Sequence, residues 1–389
     1  MEDFLVLAAS CRSIARSITQ AGYKCRGIDL FADWDTEKIC AVMQVADWDA
    51  AFTEAAKSPP GMQYVWGAGI DNALLMHRAS REHVQMFSGE RCCAIVGPPL
   101  RRCRDPFFVA EKLNQCGMPP LALRRRKPEQ GRWIEKPIFS GGGEGVRLHH
   151  PEGITVLAGE DCEAQGWSFY QEFKPGAVYG ATFIAGKQCC EFVGVCRQFH
   201  RAVGGFQFLY SASIGPIEIS ELLKTKMNRM GEVVAEACGL RGWFGIDFIV
   251  NQNQVWLIEI NPRYTASMEI LERVSGCSLF AQHLSAFQSG VIDTALEVPQ
   301  SDGSMLGKQY VFWQQPKPLR MTAGLQRWLI DFADSDGFVT DIPRIDMQVE
   351  PMAPLCTVWA SAVDLEVVQQ RLKKSKETIL QTLKQKNTS

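Results

Sequence analysis

The sequence predicts an α/β protein in which a parallel sheet is followed by a largely antiparallel region. Three observations support this fold class. Short apolar runs alternate with helical patterns over the first hundred residues, which is typical of a parallel sheet with helices on both faces. Strand patterns then dominate residues 133–199. Further along, the polar tripeptide Asn251–Asn253 joins two apolar runs, as expected of a β-hairpin.

The alternating patterns of the first hundred residues define the predicted parallel sheet. Its strands are short apolar runs, at Phe4–Ala9, 23–30, 63–69 and 92–97. The helical patterns lie between them, at 11–22, 47–57 and 71–79. We expect Gly22 to end the first helix, because glycine is favoured just past a helix C-terminus.

The region after Pro98-Pro99 begins with a helix, since Asp105 suits the cap position and Pro106 the first helical turn. A long amphipathic helix, ended by Gly239, precedes the hairpin. The other predicted elements are the hairpin strands, two short helices, two tail strands and a final amphipathic helix, at 242–250, 254–261, 267–274, 278–289, 308–313, 356–363 and 364–386. The polar stretch Val298–Ser304 is the best linker in the chain.

The composition indicates a globular protein of the cytoplasm. Of its 389 residues, 46% are hydrophobic and 22% are charged, and the net charge of −2 gives no general attraction to nucleic acid or to an anionic membrane. No apolar run is long enough to span a membrane, and the first residues are acidic rather than basic as in a signal peptide. The 14 cysteines are scattered, so we expect reduced thiols.

Polar residues of the predicted hairpin converge on one point. Glu259 and Asn261 are two residues apart, so their side chains share a face of their strand. Asp247 lies on the partner strand and can aim its carboxylate at the same point. Two carboxylates and an amide oxygen form a site that suits Mg²⁺ beside nucleotide phosphates. Arg263 follows directly, and its guanidinium suits a carboxylate or a phosphoryl group.

A glycine-rich loop, SGGGEG at 140–145, lies just after Lys136. Consecutive glycines lose much backbone entropy on folding, so a fold keeps them where the main chain must approach another group. Alone, such a loop is a weak signal, and an ordinary hairpin turn is its favoured interpretation. The ordered set of Lys136, the loop, an acidic strand around Glu172 and the hairpin is much harder to obtain by chance.

In order and spacing, these motifs resemble the ATP-grasp superfamily of ligases over nearly the whole chain. Residues 1–97 resemble its Rossmann-like domain, 98–300 its nucleotide-binding and catalytic domain, and 301–389 a C-terminal domain that completes the core. The segment EINPRYTASME, Glu259–Glu269, is similar to a group of predicted ATP-dependent carboligases, or carboxylate–amine ligases. The tail segment Thr340–Ala362 is similar to the C-terminal piece of that group, whose bacterial members are often associated with pterin-linked one-carbon metabolism.

The resemblance implies a role for each residue of the set. Lys136 contacts the phosphates of ATP, and Arg263 steadies the acid or its acyl phosphate. The flap over the β- and γ-phosphates consists of Ser140, Gly141, Gly142, Gly143 and Gly145. The hinge whose backbone reads the adenine edge consists of Glu172, Phe173 and Lys174. The ligands of one or two Mg²⁺ ions, with Mn²⁺ as an alternative metal, are Asp247, Glu259 and Asn261.

Two positions depart from the family pattern. Asp105-Pro106 stands where many relatives have Asp-Lys, so one phosphate lysine is missing, and its candidate replacements are Arg101, Arg102 and Arg104. Ala177-Val178 stands where relatives often carry an acid for the ribose. The basic run Leu123–Lys127 is interpreted as a solvated loop.

The resemblance implies an ATP- and Mg²⁺-dependent ligase that joins a small carboxylate to an amine through an acyl phosphate, and it allows a homodimer. Neither nucleic acid nor a membrane is an expected partner. One alternative is carboxylase chemistry through carboxyphosphate, of the biotin or purine type. Another is a nucleotide-binding regulatory protein without turnover. The missing lysine favours the latter, whereas the intact Lys136, Glu259 and Arg263 oppose it.

Overall fold

In a computed structural model, the N-terminal residues form a four-stranded parallel sheet. The structure describes residues 3–59, 61–75, 91–149, 168–292, 303–335 and 338–387. The strands of this sheet are β1 (Phe4–Ala8), β2 (Cys25–Asp29), β3 (Ala41–Gln44) and β4 (Gln63–Trp66). Their spatial order is β3-β2-β1-β4, and every pair is parallel. The helices of this part are α1 (Arg12–Gln20), α2 (Trp34–Glu37), α3 (Trp48–Ala56) and α4 (Ile70–Leu75).

The parallel sheet confirms the prediction, with two differences in its strands. The edge strand β3, whose side chains are mostly exposed, is not among the predicted strands. The prediction of a strand at 92–97 is wrong: Cys92 forms only an isolated bridge with Tyr64. A helix already begins at Gly97, because the Pro98-Pro99 pair suits the first turn of a helix but cannot donate to a sheet. The predicted helix at 71–79 lies partly outside the described residues.

A second, antiparallel sheet of four strands carries the glycine-rich loop. Its strands are β5 (Leu123–Arg124), β6 (Trp133–Pro137), β7 (Arg147–His149) and β8 (Ser168–Glu172), in the order β5-β8-β6-β7. Two helices precede it, α5 (Gly97–Cys103) and α6 (Pro106–Gln115). The predicted cap of α6 is confirmed, because the Asp105 side chain accepts hydrogen bonds from the amides of Phe107 and Phe108 at 3.0 and 3.2 Å.

The third sheet has eight antiparallel strands and includes the hairpin. Its strands are β9 (Ala177–Ala185), β10 (Cys190–Val203), β11 (Phe206–Gly215), β12 (Gly242–Asn251), β13 (Gln254–Asn261), β14 (Met305–Phe312), β16 (Phe338–Thr340) and β18 (Pro354–Ala362). Their spatial order is β13-β12-β9-β10-β11-β14-β18-β16. The short strands β15 (Leu319–Arg320) and β17 (Gln348–Val349) pair with each other. The tail therefore extends the central sheet directly, across the domain boundary expected near residue 300.

The remaining helices cover the large sheet. They are α7 (Glu221–Cys238), α8 (Ala266–Ser275), α9 (Phe280–Gln288), α10 (Ala323–Ser335) and α11 (Leu365–Asn387). The predicted end of α7 is confirmed, since Gly239 adopts the left-handed conformation with φ +73. The linker expected at Val298–Ser304 lies mostly outside the described residues. Within the described part of the chain, no helix is long and apolar enough to cross a membrane.

An apolar cluster joins the parallel sheet to the large sheet. Phe4 of β1 and Ile14 of α1 pack in one core with Trp243 of β12 and Phe280 of α9. The rings of Phe4 and Phe280 meet edge to face, with centroids 4.8 Å apart. This shared core fixes the position of the N-terminal strands relative to the hairpin.

Candidate active site

The hairpin of β12 and β13 brings the predicted acidic residues together. Asp247 is paired directly with Glu259 across the two strands. The Asn261 amide donates a hydrogen bond to Asp247 Oδ2 at 3.0 Å, and Gln198 of β10 donates to Asp247 Oδ1 at 2.7 Å. The turn between the strands places Gln252 at φ +52, in the left-handed region that tight hairpins use. The register therefore holds both carboxylates and the amide at one point.

The electrostatics of this point suit a cation. Burial, and then the neighbouring Glu259 carboxylate, raises the pKa of Asp247 to about 6. A cation between two such carboxylates relieves their repulsion. Among the residues that the structure describes, no cluster of three or more His, Cys, Asp and Glu side chains could hold a metal. Two carboxylates and an amide nevertheless fit Mg²⁺, which is commonly held by one or two carboxylates together with substrate phosphates.

Of the three arginines that could replace the missing lysine, Arg104, directly after α5, contacts the hairpin. Its guanidinium donates to Glu259 Oε1 at 2.7 Å, to Asn72 Oδ1 at 2.7 Å and to the Ser140 carbonyl at 2.8 Å. Its side chain is 6% exposed. Burial alone would lower the pKa of Arg104, but the adjoining Glu259 carboxylate raises it, so the charge is retained. The other two candidate replacements for the missing lysine, Arg101 and Arg102, are exposed.

Lys136 lies on β6 and points at the hairpin. Its ammonium group donates to the carbonyl of Ile258 at 3.2 Å. Burial lowers the pKa of Lys136, although Glu259 and Asp247 act in the opposite direction. A cation held in this way by two nearby carboxylates is well placed to meet the negative charge of a phosphate.

The glycine-rich loop lies against β11. The Tyr210 amide donates to the Gly142 carbonyl at 2.7 Å. Gly142, Gly143 and Gly145 all have positive φ, at +63, +84 and +73. A Cβ atom on Gly143 would collide with the carbonyl of Phe208. The backbone does need glycine here, both for its conformation and for a close approach.

Arg263 lies beside Asn261 and reaches the N-terminal part of the chain. Its guanidinium donates to Asn261 Oδ1 at 3.0 Å and to the Tyr264 carbonyl at 3.3 Å. Its Nε lies 3.5 Å from Oδ2 of Asp71, which belongs to α4. The Asn261 oxygen accepts this hydrogen bond with one of its two lone pairs, so the other can bind a metal.

The expected hinge, Glu172–Lys174, begins at the last residue of β8. The amides of Glu172 and Phe173 donate to the carbonyls of Ala122 and Arg132 at 2.9 and 3.0 Å. Those two N–H groups are therefore engaged within the sheet, which leaves the Lys174 N–H and the carbonyls as candidates for reading an adenine edge. The Glu172 carboxylate binds the Lys174 ammonium at 2.5 Å.

A cavity of about 90 Å³ lies between the small sheet and the hairpin. Its lining combines charged groups with apolar side chains: Arg104, Lys136, Ser140, Glu259, Leu121, Leu123, Phe169 and Leu257. An apolar wall that ends in a few convergent charged groups is typical of a small-molecule site. Lys136, Glu259, Ser140 and Gly143 thus share one cavity, whereas the hinge residues and Arg263 are not among its lining residues.

Several residues of the site escape prediction from the sequence. Asp71 and Asn72 carry no motif, and only the fold brings α4 to the hairpin. Gln198 and His200 lie on β10, which shows only a strand pattern. Burial, and then the charge of Lys136, lowers the pKa of His200 to about 4, so this imidazole is neutral at pH 7. A single histidine or glutamine on a strand gives no sequence signal of function.

Comparisons with known proteins agree with the geometry. A sequence model described as an ATP-grasp domain matches residues 103–267. A formate-dependent phosphoribosylglycinamide formyltransferase from Pseudomonas aeruginosa (strain LESB58) is 30% identical over 147 residues, which cover 33% of each protein. The alignment with such curated relatives thus spans about a third of their length.

Solved structures resemble the chain over almost its full length. An L-amino acid ligase from Bacillus licheniformis superposes with a TM-score of 0.67 at 12% identity, covering 97% of both chains. A biotin carboxylase from Campylobacter jejuni also has a TM-score of 0.67, at 15% identity, covering 98% of this chain and 95% of that one. At such low identity the likeness concerns the fold. Residues 103–267 therefore match an ATP-grasp domain, and the solved structures share the fold of the chain as a whole.

Proposed function

We propose that the protein is an ATP- and Mg²⁺-dependent carboxylate–amine ligase, which forms an amide through an acyl phosphate and releases ADP and phosphate. One observation carries this proposal: the paired carboxylates of Asp247 and Glu259 lie beside Lys136 and Arg104, under the glycine-rich flap. Phosphoryl transfer needs mainly positioning and charge neutralisation, which such a cluster supplies. A structural neighbour is itself an L-amino acid ligase.

The side chains divide the work as follows. Asp247, Glu259 and Asn261 would hold Mg²⁺, which neutralises phosphate charge when bound. Lys136 and Arg104 bind the phosphate oxygens, and the flap amides Ser140–Gly145 close over them. Arg263 orients the acid whose oxygen attacks the γ-phosphorus. The resulting acyl phosphate then reacts with the amine.

A carboxylase or a purine-type formyl transfer is the second candidate, since a biotin carboxylase and a phosphoribosylglycinamide formyltransferase are among the similar proteins. The connection between β1 and α1 argues against the formyl transfer. At the N-terminus of α1, where such folds bind phosphate, the Cys11 amide donates to Asp29 Oδ2 at 3.0 Å. Asp29 also accepts from the Phe31 amide, so a carboxylate of the chain fills this anion site.

The proposed reaction is tested by a screen of small carboxylates with hydroxylamine and with the standard amino acids as amines. ADP release and mass spectrometry of the products are the measurements. Acid-dependent ADP release with hydroxamate or amide formation supports the ligase. ADP release that depends on bicarbonate alone supports the carboxylase. Tight ATP binding without turnover across the screen supports a regulatory protein.

The metal role of Glu259 is tested by Glu259→Gln. This variant keeps the shape of the side chain but removes a charged ligand, so we expect turnover to fall by roughly 10²-fold or more. Glu236→Gln, an exposed change on α7, is the matched control and should leave turnover unchanged. Turnover of Glu259→Gln near that of the control would refute the metal assignment.

We also propose the three-part domain division at residues 97 and 300, a cytoplasmic location, small-molecule partners and a homodimer. The continuous large sheet supports a C-terminal part that completes the core instead of standing alone. Light scattering of the purified chain tests the homodimer, and a mass equal to one chain would refute it.

A further inference from the structure

Asp71 is a buried carboxylate whose role the proposed reaction does not yet explain. It lies on α4, in the N-terminal part of the chain, and is only 1% exposed. The Gly69 amide donates to its Oδ1 at 3.3 Å. Its neighbour Asn72 accepts from Arg104. α4 thus brings Asn72 to Arg104, which lines the cavity, and brings Asp71 to Arg263.

The second oxygen of Asp71 lacks a hydrogen bond. Among the described residues, Asp71 Oδ2 and Arg263 Nε are both buried polar atoms without a hydrogen-bond partner. They lie 3.5 Å from each other, which is an ion pair but too long for a good hydrogen bond. A buried carboxylate oxygen and a guanidinium edge left open side by side are costly unless a ligand completes them.

The charge of the site decides which ligand suits the acid. Three carboxylates (Asp71, Asp247, Glu259) face three cations (Arg104, Lys136, Arg263), so the site is close to neutral by itself. Magnesium-bound ATP and a carboxylate substrate both add negative charge. A further anion would be repelled, whereas a cationic co-substrate would be attracted.

We propose that Asp71 Oδ2 binds the ammonium group of the amine substrate, while Arg263 Nε binds the carboxyl group that is activated beside it. This inference rests on the proposed ligase function and specifies the amine as one that is charged at neutral pH. The ammonium nitrogen transfers one proton to the Asp71 carboxylate. Its lone pair then forms the C–N bond at the acyl carbon, and the bond from that carbon to the phosphate oxygen breaks. The phosphate leaves as hydrogen phosphate with the second proton of the nitrogen, so a neutral amide remains.

The test compares two nucleophiles on the variant Asp71→Asn. Hydroxylamine is largely uncharged at neutral pH and traps an acyl phosphate as a hydroxamate, whereas the amino acids of the screen carry an ammonium group. We expect the variant to lose roughly 10–100-fold in kcat/KM for the amino acid that supports turnover, the worth of one hydrogen bond to a charged group. Hydroxamate formation should fall far less. Asp49→Asn, an exposed change on α3, is the control.

Each result decides between distinct explanations. An equal loss with both nucleophiles means that Asp71 only positions Arg263 or the fold, and it overturns the inference. The same holds if Asp71→Asn matches the Asp49→Asn control. Rescue of amino acid use by Asp71→Glu, which restores the charge, supports the subsite. Failure of the unaltered protein to release ADP with any acid and either nucleophile refutes the proposed function itself, and this inference with it.

Discussion

Arg104 is the residue that we propose in place of the missing phosphate lysine. The family pattern expects a lysine beside Asp105, but Pro106 stands there and opens α6 instead. Arg104 precedes Asp105, whereas the lysine of the family pattern follows it. The Arg104 guanidinium reaches Glu259 and the Ser140 carbonyl from this earlier position. The sequence offered three arginines as candidates for the missing lysine. The fold distinguishes them, because the side chain of Arg104 is buried whereas Arg101 and Arg102 are exposed.

The first prediction concerns this arginine. Arg104→Ala leaves Glu259 and Asn72 without this donor and removes the cation that we propose for phosphate binding. We expect kcat/KM for ATP to fall by roughly 10²–10³-fold. Arg104→Lys keeps the charge but not the three-way contact, so its activity should be intermediate. The matched control is Arg102→Ala, which lies two residues away and is exposed. Equal kinetics for Arg102→Ala and Arg104→Ala would contradict the assignment.

His283 is a second buried residue whose chemistry is set by its surroundings. Its Nδ1 accepts from the Trp243 amide at 3.0 Å, so Nε2 carries the proton and donates to the Cys93 carbonyl at 2.8 Å. Burial lowers the pKa of His283 to about 3. Below the unfolded pKa of about 6.5 the unfolded chain binds this proton more readily. The stability that neutral His283 contributes is therefore present above pH 6.5 and is lost as pH falls toward 3.

The second prediction follows from this loss of stability as the pH falls. His283→Gln removes the titrating group, so the free energy of unfolding should depend less on pH between 6.5 and 4, by up to about 3 kcal/mol. Urea denaturation at several pH values, followed by tryptophan fluorescence, measures the slope. His149→Gln, at a partly exposed histidine on β7, serves as the control. An unchanged slope in His283→Gln would mean that other groups govern acid unfolding.

At the scale of elements, the features that depend on local sequence patterns were predicted well. The hairpin follows from a short polar turn between apolar runs, and the cap of α6 follows from one Asp-Pro pair. The β-bulge between Asp247 and Phe248, which brings Glu259 opposite Asp247, has no such local signal. The large sheet could not be predicted in the same way. Its strands β11 and β14 pair although the chain between them runs through the hairpin and the helices α7, α8 and α9. Such a pairing depends on long-range packing, which no local pattern encodes.

The third prediction concerns the flap as an element. Gly143→Ala would place Cβ against the Phe208 carbonyl, so the flap could no longer lie on β11. Gly142→Ala, at φ +63, meets no atom within 4 Å and should suffer only backbone strain of about 1–2 kcal/mol. We expect faster amide exchange at Tyr210 and a higher KM for ATP in the first variant than in the second. Identical exchange in both would show that the contact with β11 does not hold the flap.

At the scale of the whole molecule, a buried charge network joins α1 of the parallel-sheet region to α8 and to the C-terminal strand β14. Glu269 of α8 is fully buried and binds Arg12 of α1 at 2.5 Å and Lys308 of β14 at 2.6 Å. Arg12 also donates to Asp341 at 2.7 Å. Burial alone would raise the pKa of Glu269, but Arg12 and Lys308 hold it well below its usual value, so the carboxylate is charged. The sequence singled out the segment Glu259–Glu269 by its resemblance. It did not indicate that Glu269 pairs with Arg12 and Lys308.

The last prediction tests this network as a determinant of global stability. Glu269→Gln leaves two buried cations, Arg12 and Lys308, without their shared counter-charge, and breaking a buried pair in this way costs about 3–5 kcal/mol. The matched control is Glu232→Gln, because Glu232 pairs with Arg229 on the surface of α7, where both side chains are more than a third exposed. Loss of such an exposed pair should cost less than about 1 kcal/mol. Denaturant titrations at pH 7 compare the two variants. Because the network connects α1, α8 and β14, Glu269→Gln should lower the midpoint of every observed transition, including that of the N-terminal sheet. A loss no larger than that of Glu232→Gln, or one confined to a single transition, would show that the apolar core around Phe4 and Phe280 joins the parts without help from these charges.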